Sequence, residues 1–394
     1  MRILCLTPWF PAWPGAQSGN FILDSLLALQ EQGHELETLV CQPWHPFWGG
    51  LLHEDWGRPL LQPELHDAAL KVGLLRYPSI PRNLLRSLSL WLGRRRLLGP
   101  LRQRIAGGKP QILLVHTEQL AAVATLAAQP FGIPVVLVVH GVNTTARLNT
   151  PAEKRRLRDV LQAVDRVVLV GEPLWEPLAA LAGDTSRFRI VHNGVRLPSP
   201  DLKQAPSLAQ RPLRLISVSN LAEGKGVDLN LEALALIEAE GLTQWHYTVV
   251  GGGSQSQLLQ QAAQRLGIAH KVHFTGAIAH SDVYAQLAQA SVFLLPSWQE
   301  AFGVAWLEAM ACGLLAVAVA GQGPAAFIRH GETGLLVAPR SVDSVAACLR
   351  RMFAEPELLQ SVAQQGQREV TDGFTWAAHA RLLSKVCREV LAAP

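Results

Sequence analysis

PSWQEAFGVAWLEAMACG, residues 296–313, places two carboxylates, Glu300 and Glu308, in an otherwise apolar stretch. The run before it, SVFLLP (291–296), reads as a buried strand. SWQEAFG is the turn after that strand, and VAWLEAMACG is a helix stopped by Gly313. Glu300 therefore falls in a strand-to-helix loop and Glu308 in the first turns of the helix. Ala305, Ala309 and Ala311 are small and leave room for a ligand or a packing element. Carboxylates at the mouth of a sheet can accept hydrogen bonds from sugar or ribose hydroxyls. Gly303 removes a side chain, so the amides beside Phe302 could approach phosphate oxygens. Two carboxylates answering a helix dipole are the plainer alternative.

The surrounding pattern sets the fold class. Apolar runs at 2–7, 34–41, 111–116, 134–141, 166–171 and 187–195 alternate with helical segments such as 21–33. The pattern restarts with runs at 213–220, 246–253, 271–276, 291–297, 314–321 and 333–339. Such alternation predicts α/β architecture: two doubly wound, mostly parallel sheets covered on both faces. The expected domains are residues 1–200, a polar proline-rich linker at 201–212, a second domain over 213–375, and a helix at 376–394 that could return to the first domain. Ligands of such sheets bind at the strand C-termini, and two facing domains would hold an anionic ligand between them.

Bulk properties narrow the field. The chain has 394 residues, 49% apolar and 17% charged, which is too large for one ordinary core. Its net charge of +4 does not by itself argue for nucleic acid. The five cysteines are scattered without a CxxC pair, which fits reduced thiols rather than a disulfide framework or a zinc site. No signal peptide is evident, and Pro130, Gly132 and Pro134 break the uncharged run 121–139, so it reads as helix then strand rather than a membrane span. Residues 71–110 differ from the rest: ten Lys or Arg and no acidic residue, interleaved with Leu, Trp and Ile. That composition suits an anionic membrane surface, although RNA or another anionic partner, or simply a solvated face, is also compatible with it. Arg94, Arg95 and Arg96 are consecutive and cannot share one helix face.

Further loops carry candidate chemistry. SNLAEGKGVDLN (219–230) puts Lys225 between Gly224 and Gly226 just before a helix, the outline of a diphosphate site, but without Walker A spacing. Gly251 and Gly252 lie in the glycine turn VVGGGSQ (249–255), where a ligand could approach closely. Gly19 opens the first helix, and His140 ends an apolar strand in VVHGVNTT (138–145), where it could serve a sugar hydroxyl or a structural role.

Taken together the chain resembles family 4 of the glycosyltransferases, retaining enzymes of the GT-B fold. The resemblance is carried by Pro296, Ser297, Glu300, Gly303, Glu308, Ala309, Met310, Ala311 and Gly313 of the E-x7-E motif, and by RIVHNGV, FTGAI and HGETGLLV (330–337). It implies transfer of a hexose from a nucleoside diphosphate sugar, a UDP-sugar ahead of a GDP-sugar, to a hydroxyl acceptor such as a glycolipid or an envelope polysaccharide intermediate. By position it implies Glu300 near the donor sugar, Glu308 on the ribose, Lys225 on the diphosphate and His140 near the reaction centre. Gly19, Asn220, Gly251, Gly252, Ile278, Phe302, Gly303 and Val304 would line the donor pocket. No cofactor or metal is expected, nor any nucleic acid partner. The implied location is cytoplasmic, peripheral on the inner face of the membrane. Two departures stand out. Asn220 occupies the place where many members have Arg, and Ala326 in GQGPAAF replaces a Glu. They keep open a fold-retaining binding protein without turnover; the other alternative is a different sugar-nucleotide enzyme on this architecture, such as an epimerase or sugar-phosphate synthase.

Overall fold

The computed structural model describes residues 1–12, 16, 19–44, 70–79, 86–141, 150–202 and 205–392. The chain divides into two compact units: Met1–Val170 with Leu174–His192 and His379–Pro394, and Gly171–Pro173 with Asn193–Ala378.

Unit 1 is built on a seven-stranded sheet in the order β3-β2-β1-β4-β5-β6-β7. The strands are β1 (Arg2–Thr7), β2 (Glu35–Trp44), β3 (Lys71–Pro78), β4 (Ile112–Val115), β5 (Val135–Val139), β6 (Arg166–Leu169) and β7 (Phe188–Ile190). Every pairing is parallel. The central strands β4 and β5 are buried along their whole length, as aliphatic strands covered on both faces must be. The helices are α1 (Asn20–Glu31), α2 (Arg86–Gly108), α3 (Glu118–Ala128), α4 (Pro151–Ala163) and α5 (Trp175–Ala182). The uncharged run at 121–139 is α3 followed by β5, and among the described residues no helix is long and apolar enough to cross a membrane.

Unit 2 holds a six-stranded parallel sheet in the order β10-β9-β8-β11-β12-β13. Its strands are β8 (Leu213–Val218), β9 (Trp245–Val250), β10 (Val272–Gly276), β11 (Val292–Leu294), β12 (Leu315–Val319) and β13 (Leu335–Val337). Its helices are α6 (Val227–Ala239), α7 (Ser256–Arg265), α8 (His280–Leu287), α9 (Val304–Ala311), α10 (Val342–Ala354) and α11 (Pro356–Gly373). The last helix, α12 (Trp376–Ala392), starts in unit 2 and joins unit 1 from His379 onward. There His379 Nε2 lies 2.8 Å from Ser25 Oγ, and Ser384 Oγ lies 2.8 Å from His34 Nε2. All five cysteines are free and buried.

Several boundaries differ from the sequence reading. Unit 2 begins at Asn193, not after 200, because Val195 bridges Thr375 and the Tyr284 hydroxyl donates to the Arg196 carbonyl at 2.7 Å. Within the expected linker one residue is anchored: Leu208 is buried and its N–H donates to Gln360 Oε1 at 2.9 Å. Residues 71–110 contain β3 and α2, with Pro100 inside the helix. Helix α4 buries Leu157 and Leu161, one turn apart; Thr150 caps it and Pro151 starts it.

Candidate functional site

In both sheets the chain starts in the middle and works outward, first to one side and then to the other. The strand order therefore reverses at one point: between β1 and β4 in unit 1, and between β8 and β11 in unit 2. The loops that leave two such strands diverge, and the gap at their C-terminal ends is where doubly wound sheets bind ligands.

In unit 2 the loop after β8 carries Lys225, and the loop after β11 carries Glu300. Lys225 Nζ donates to Glu300 Oε2 at 2.9 Å, so an ion pair spans the reversal point. Both side chains are partly buried, 27% and 20% exposed. The two loops are held together by backbone: the Trp298 N–H donates to the Gly224 carbonyl at 3.0 Å. Gly226 is required here. It adopts φ +73°, and a Cβ on it would collide with the Pro296 carbonyl. Glu300 is fixed from its other side by Gln322, whose Oε1 accepts from the Glu300 N–H at 3.1 Å, while the Gly323 N–H donates to the Glu300 carbonyl at 2.9 Å.

Beneath this pair lies a buried polar brace. Asn230 of α6 donates through Nδ2 to the Tyr247 hydroxyl on β9 and to the Leu294 carbonyl on β11, both at 2.9 Å. The Ser217 hydroxyl on β8 donates to the same carbonyl. Burial pushes the Tyr247 phenol up to about 12, so it stays a neutral member of the network. Four elements are thereby locked together directly under the loops that position Lys225 and Glu300.

Glu308 sits one turn into α9 rather than at its start, and the first turn of that helix holds no acidic residue. The helix-dipole alternative therefore does not account for it. It is buried, and its Oε1 accepts from His280 Nε2 at 2.9 Å. Ile278 is half-buried between β10 and α8, two residues before His280. Gly251 has no room for a side chain, since a Cβ would meet the Ser219 carbonyl, and the Leu221 N–H donates to the Gly252 carbonyl at 2.9 Å. The glycine turn is thus packed on the lysine loop. Asn220 is exposed beside it. Gly303 is buried, and a Cβ there would lie 2.7 Å from Pro324 Cγ and 2.8 Å from the Trp306 ring. Its missing side chain makes way for protein as well as leaving the start of α9 uncapped by any side chain. Phe302 is a core residue whose ring packs against Phe327 and Phe374. Val304, the first residue of α9, is half-buried. Ala326 lies in a short 3-10 turn, Gly323–Ala326.

In unit 1, Gly19 and His140 stand at the equivalent end of the other sheet. Gly19 precedes α1 with φ +89°. His140 directly follows β5, and its ring packs on Phe21 at 4.9 Å, Trp9 at 6.1 Å and His116 at 5.0 Å between centroids. Burial is the main cause that holds the His140 imidazole well below its ordinary pKa, with His116 and His379 adding to it. His140 is therefore neutral. Residues 142–145 of the VVHGVNTT stretch lie outside the described residues.

Sequence reasoning missed three side chains: His280, Gln322 and His116. Each acts on a candidate residue from another segment, so no local spacing marks it. Among the described residues no group of three or more His, Cys, Asp or Glu is arranged to hold a metal ion.

Comparison with known proteins agrees with the two-unit layout. Residues 18–197 match the family described as Glycosyltransferase Family 4, and residues 199–369 match Glycosyl transferases group 1. A Mycobacterium tuberculosis GDP-mannose-dependent alpha-(1-6)-phosphatidylinositol monomannoside mannosyltransferase is 30% identical over 296 residues, covering 71% of this chain and 73% of its own. The chain belongs to glycosyltransferase family 4. Glycogen synthase of the same organism is also similar to this family 4 glycosyltransferase, at 26% identity over 71% of the chain and 68% of the relative. Anabaena HepE, solved in complex with UDP, superposes with a TM-score of 0.76 over 99% of this chain and 100% of its own at 18% identity, which establishes the GT-B fold. The chain is thus a glycosyltransferase with two Rossmann-like units.

Proposed function

We propose that this glycosyltransferase transfers a hexose from a nucleoside diphosphate sugar, with UDP as the preferred carrier, to an acceptor hydroxyl with retention of anomeric configuration. The observation that carries the reading is the Lys225–Glu300 pair across the reversal point of the second sheet. A cation for the diphosphate and a carboxylate for the sugar stand side by side where such folds bind ligands. HepE has been solved with UDP-glucose, and the mannosyltransferase relative is named for GDP-mannose, so both bases occur among proteins like this one.

In this reaction the bond between the anomeric carbon and the phosphate oxygen breaks, and the acceptor oxygen bonds to the same carbon from the same face. The acceptor proton passes to the leaving phosphate oxygen. Lys225 neutralises the charge that develops on the diphosphate, helped by the N-terminal amides of α6 and α9. Glu300 orients the sugar hydroxyls and stabilises an oxocarbenium-like carbon without bonding to it. Glu308 takes the ribose hydroxyls, and His280 holds it in place. No metal ion enters this scheme. A thermal melt tests donor choice: a UDP-sugar at saturating concentration should raise Tm by a few degrees, with free UDP released on adding membrane extract as acceptor source. A melt unmoved by both UDP- and GDP-sugars would overturn the reading.

The acceptor in this reading is lipid-linked, and α2 supports it. Gly93, Leu97, Leu101 and Ile105 form its buried stripe. The opposite face carries Leu88 and Trp91, 41% and 47% exposed, with Arg95 and Arg102. Arg95 lies over the Trp91 ring at 4.3 Å, and Arg94 and Arg96 flank the face. Apolar side chains ringed by arginines suit the interface of an anionic bilayer. Replacing Arg94, Arg95 and Arg96 with Ser should weaken binding to phosphatidylglycerol vesicles about 100-fold, at about 1 kcal/mol per charge. Unchanged sedimentation with such vesicles would remove the membrane from this picture.

A further inference from the structure

Two buried ring nitrogens in unit 1, Nδ1 of His140 and Nε2 of His116, have no hydrogen-bond partner among the described residues. The remaining two meet: His116 Nδ1 and His140 Nε2 are 2.8 Å apart, and the rings stack with an interplanar angle of 24°. His116 is anchored at the end of β4, where its N–H donates to the Leu6 carbonyl at 3.0 Å. The pair therefore stands at the C-terminal ends of β4 and β5, beside the reversal point between β1 and β4. Trp9 and Phe21 wall the His140 ring. The third imidazole nearby, His379 of α12, is committed elsewhere. Its Nδ1–H donates to the His192 carbonyl at 2.7 Å and its Nε2 accepts from the Ser25 hydroxyl at 2.8 Å.

Burial keeps both rings of the pair uncharged. In a neutral pair one imidazole donates and the other accepts, so the two outward nitrogens carry one hydrogen and one lone pair between them. Leaving such atoms unpaired costs about 1–3 kcal/mol each, which calls for a reason. A ligand that completes the His140 side supplies one.

We propose that His116 is a positioning residue for His140: it occupies Nε2, fixes the ring between Trp9 and Phe21, and leaves Nδ1 as the nitrogen that meets a substrate hydroxyl. A hydroxyl both donates and accepts, so it can complete Nδ1 in either tautomer. This inference rests on the reading that His140 serves the reacting sugar.

The test has a spectroscopic arm and a kinetic arm. In 15N-labelled protein the imidazole resonances of His140 should show one fixed neutral tautomer, with a scalar coupling through the hydrogen bond to His116 Nδ1. In His116→Phe, or His116→Ala where the phenylalanine form does not fold, the His140 signals should move to the average of two tautomers. Turnover of UDP-sugar with membrane extract should fall about 10-fold in kcat, with KM for the donor changed less than 2-fold. His116→Asn, whose amide reaches the place of Nδ1, should restore both. A fixed His140 tautomer and wild-type kcat without the His116 ring would overturn the proposal. A His140→Ala enzyme that turns over fully while Glu300→Ala is dead would also overturn it, leaving the donor reading intact. An active Glu300→Ala enzyme would instead strike the donor reading.

Discussion

Replacing Glu300 with Gln is expected to tighten binding of free nucleoside diphosphate several-fold while cutting turnover by about 10²–10⁴-fold. In the unliganded protein the Lys225 ammonium is shared with Glu300 at 2.9 Å. A diphosphate must compete with that carboxylate for the lysine and endure its repulsion. Glutamine keeps the size and the hydrogen bond but removes the charge, so the ground-state competition ends. It equally removes the anion that faces the electron-poor anomeric carbon, and the chemical step slows. Lys225→Ala should lose both: weaker diphosphate binding and turnover reduced by a similar factor. Because the two side chains act on one leaving group and one carbon, the double variant should be little worse than either single one. Neither change should cost much stability, since each partner is at least one-fifth exposed and can be rehydrated. Calorimetric titration with UDP and steady-state kinetics check both halves. An Glu300→Gln enzyme with weakened UDP affinity would refute the competition.

Unit 1 is expected to lose stability steeply as pH falls below about 6.5. His116 is held at about 3, His379 at about 4, and His140 well below its ordinary value, each chiefly by burial. In the unfolded chain all three titrate near 6.5. The folded state therefore binds fewer protons below that pH, and protonation pulls the equilibrium toward unfolding. The stability from these groups is fully present above about pH 6.5 and is lost as pH falls toward 4. Each contributes a slope of up to about 1.4 kcal/mol per pH unit, so the three together approach about 4 kcal/mol per unit. A domain stable by about 5–15 kcal/mol loses much of that between pH 6 and 4. Thermal melts in this range should show Tm falling steeply, with hydrogen exchange rising first in β4 and β5. His379→Gln should flatten the slope by about a third. A Tm constant from pH 7 to 5 would contradict the account.

Most of the fold was legible because parallel strands buried on both faces are continuous apolar runs. VVLVV of β5 and LAVAV of β12 leave little choice. The strand β3 was not legible, since its residues are mostly half-buried and its apolar pattern is interrupted by Gly73 and Arg76. Glu300, Glu308 and Lys225 announce themselves by local spacing between a strand and a helix. His280 and Gln322 do not, because they reach their partners across 28 and 22 residues of chain. His116 was hidden for a different reason: a histidine closing an aliphatic strand looks like a core residue, and only the neighbouring strand shows what it touches. The packing around Gly303 was equally hidden, since Pro324 and Trp306 reach it from other positions of the chain.

The path of α12 has a consequence for biogenesis. Residues 379 onward belong to the unit whose other strands and helices were laid down before residue 193. On the ribosome, unit 1 must wait through the synthesis of all of unit 2 before its last helix emerges, with the pocket around Ser25 and His34 open to solvent meanwhile. Unit 2 is nearly continuous in sequence and can consolidate first, so the order of maturation runs against the order of translation.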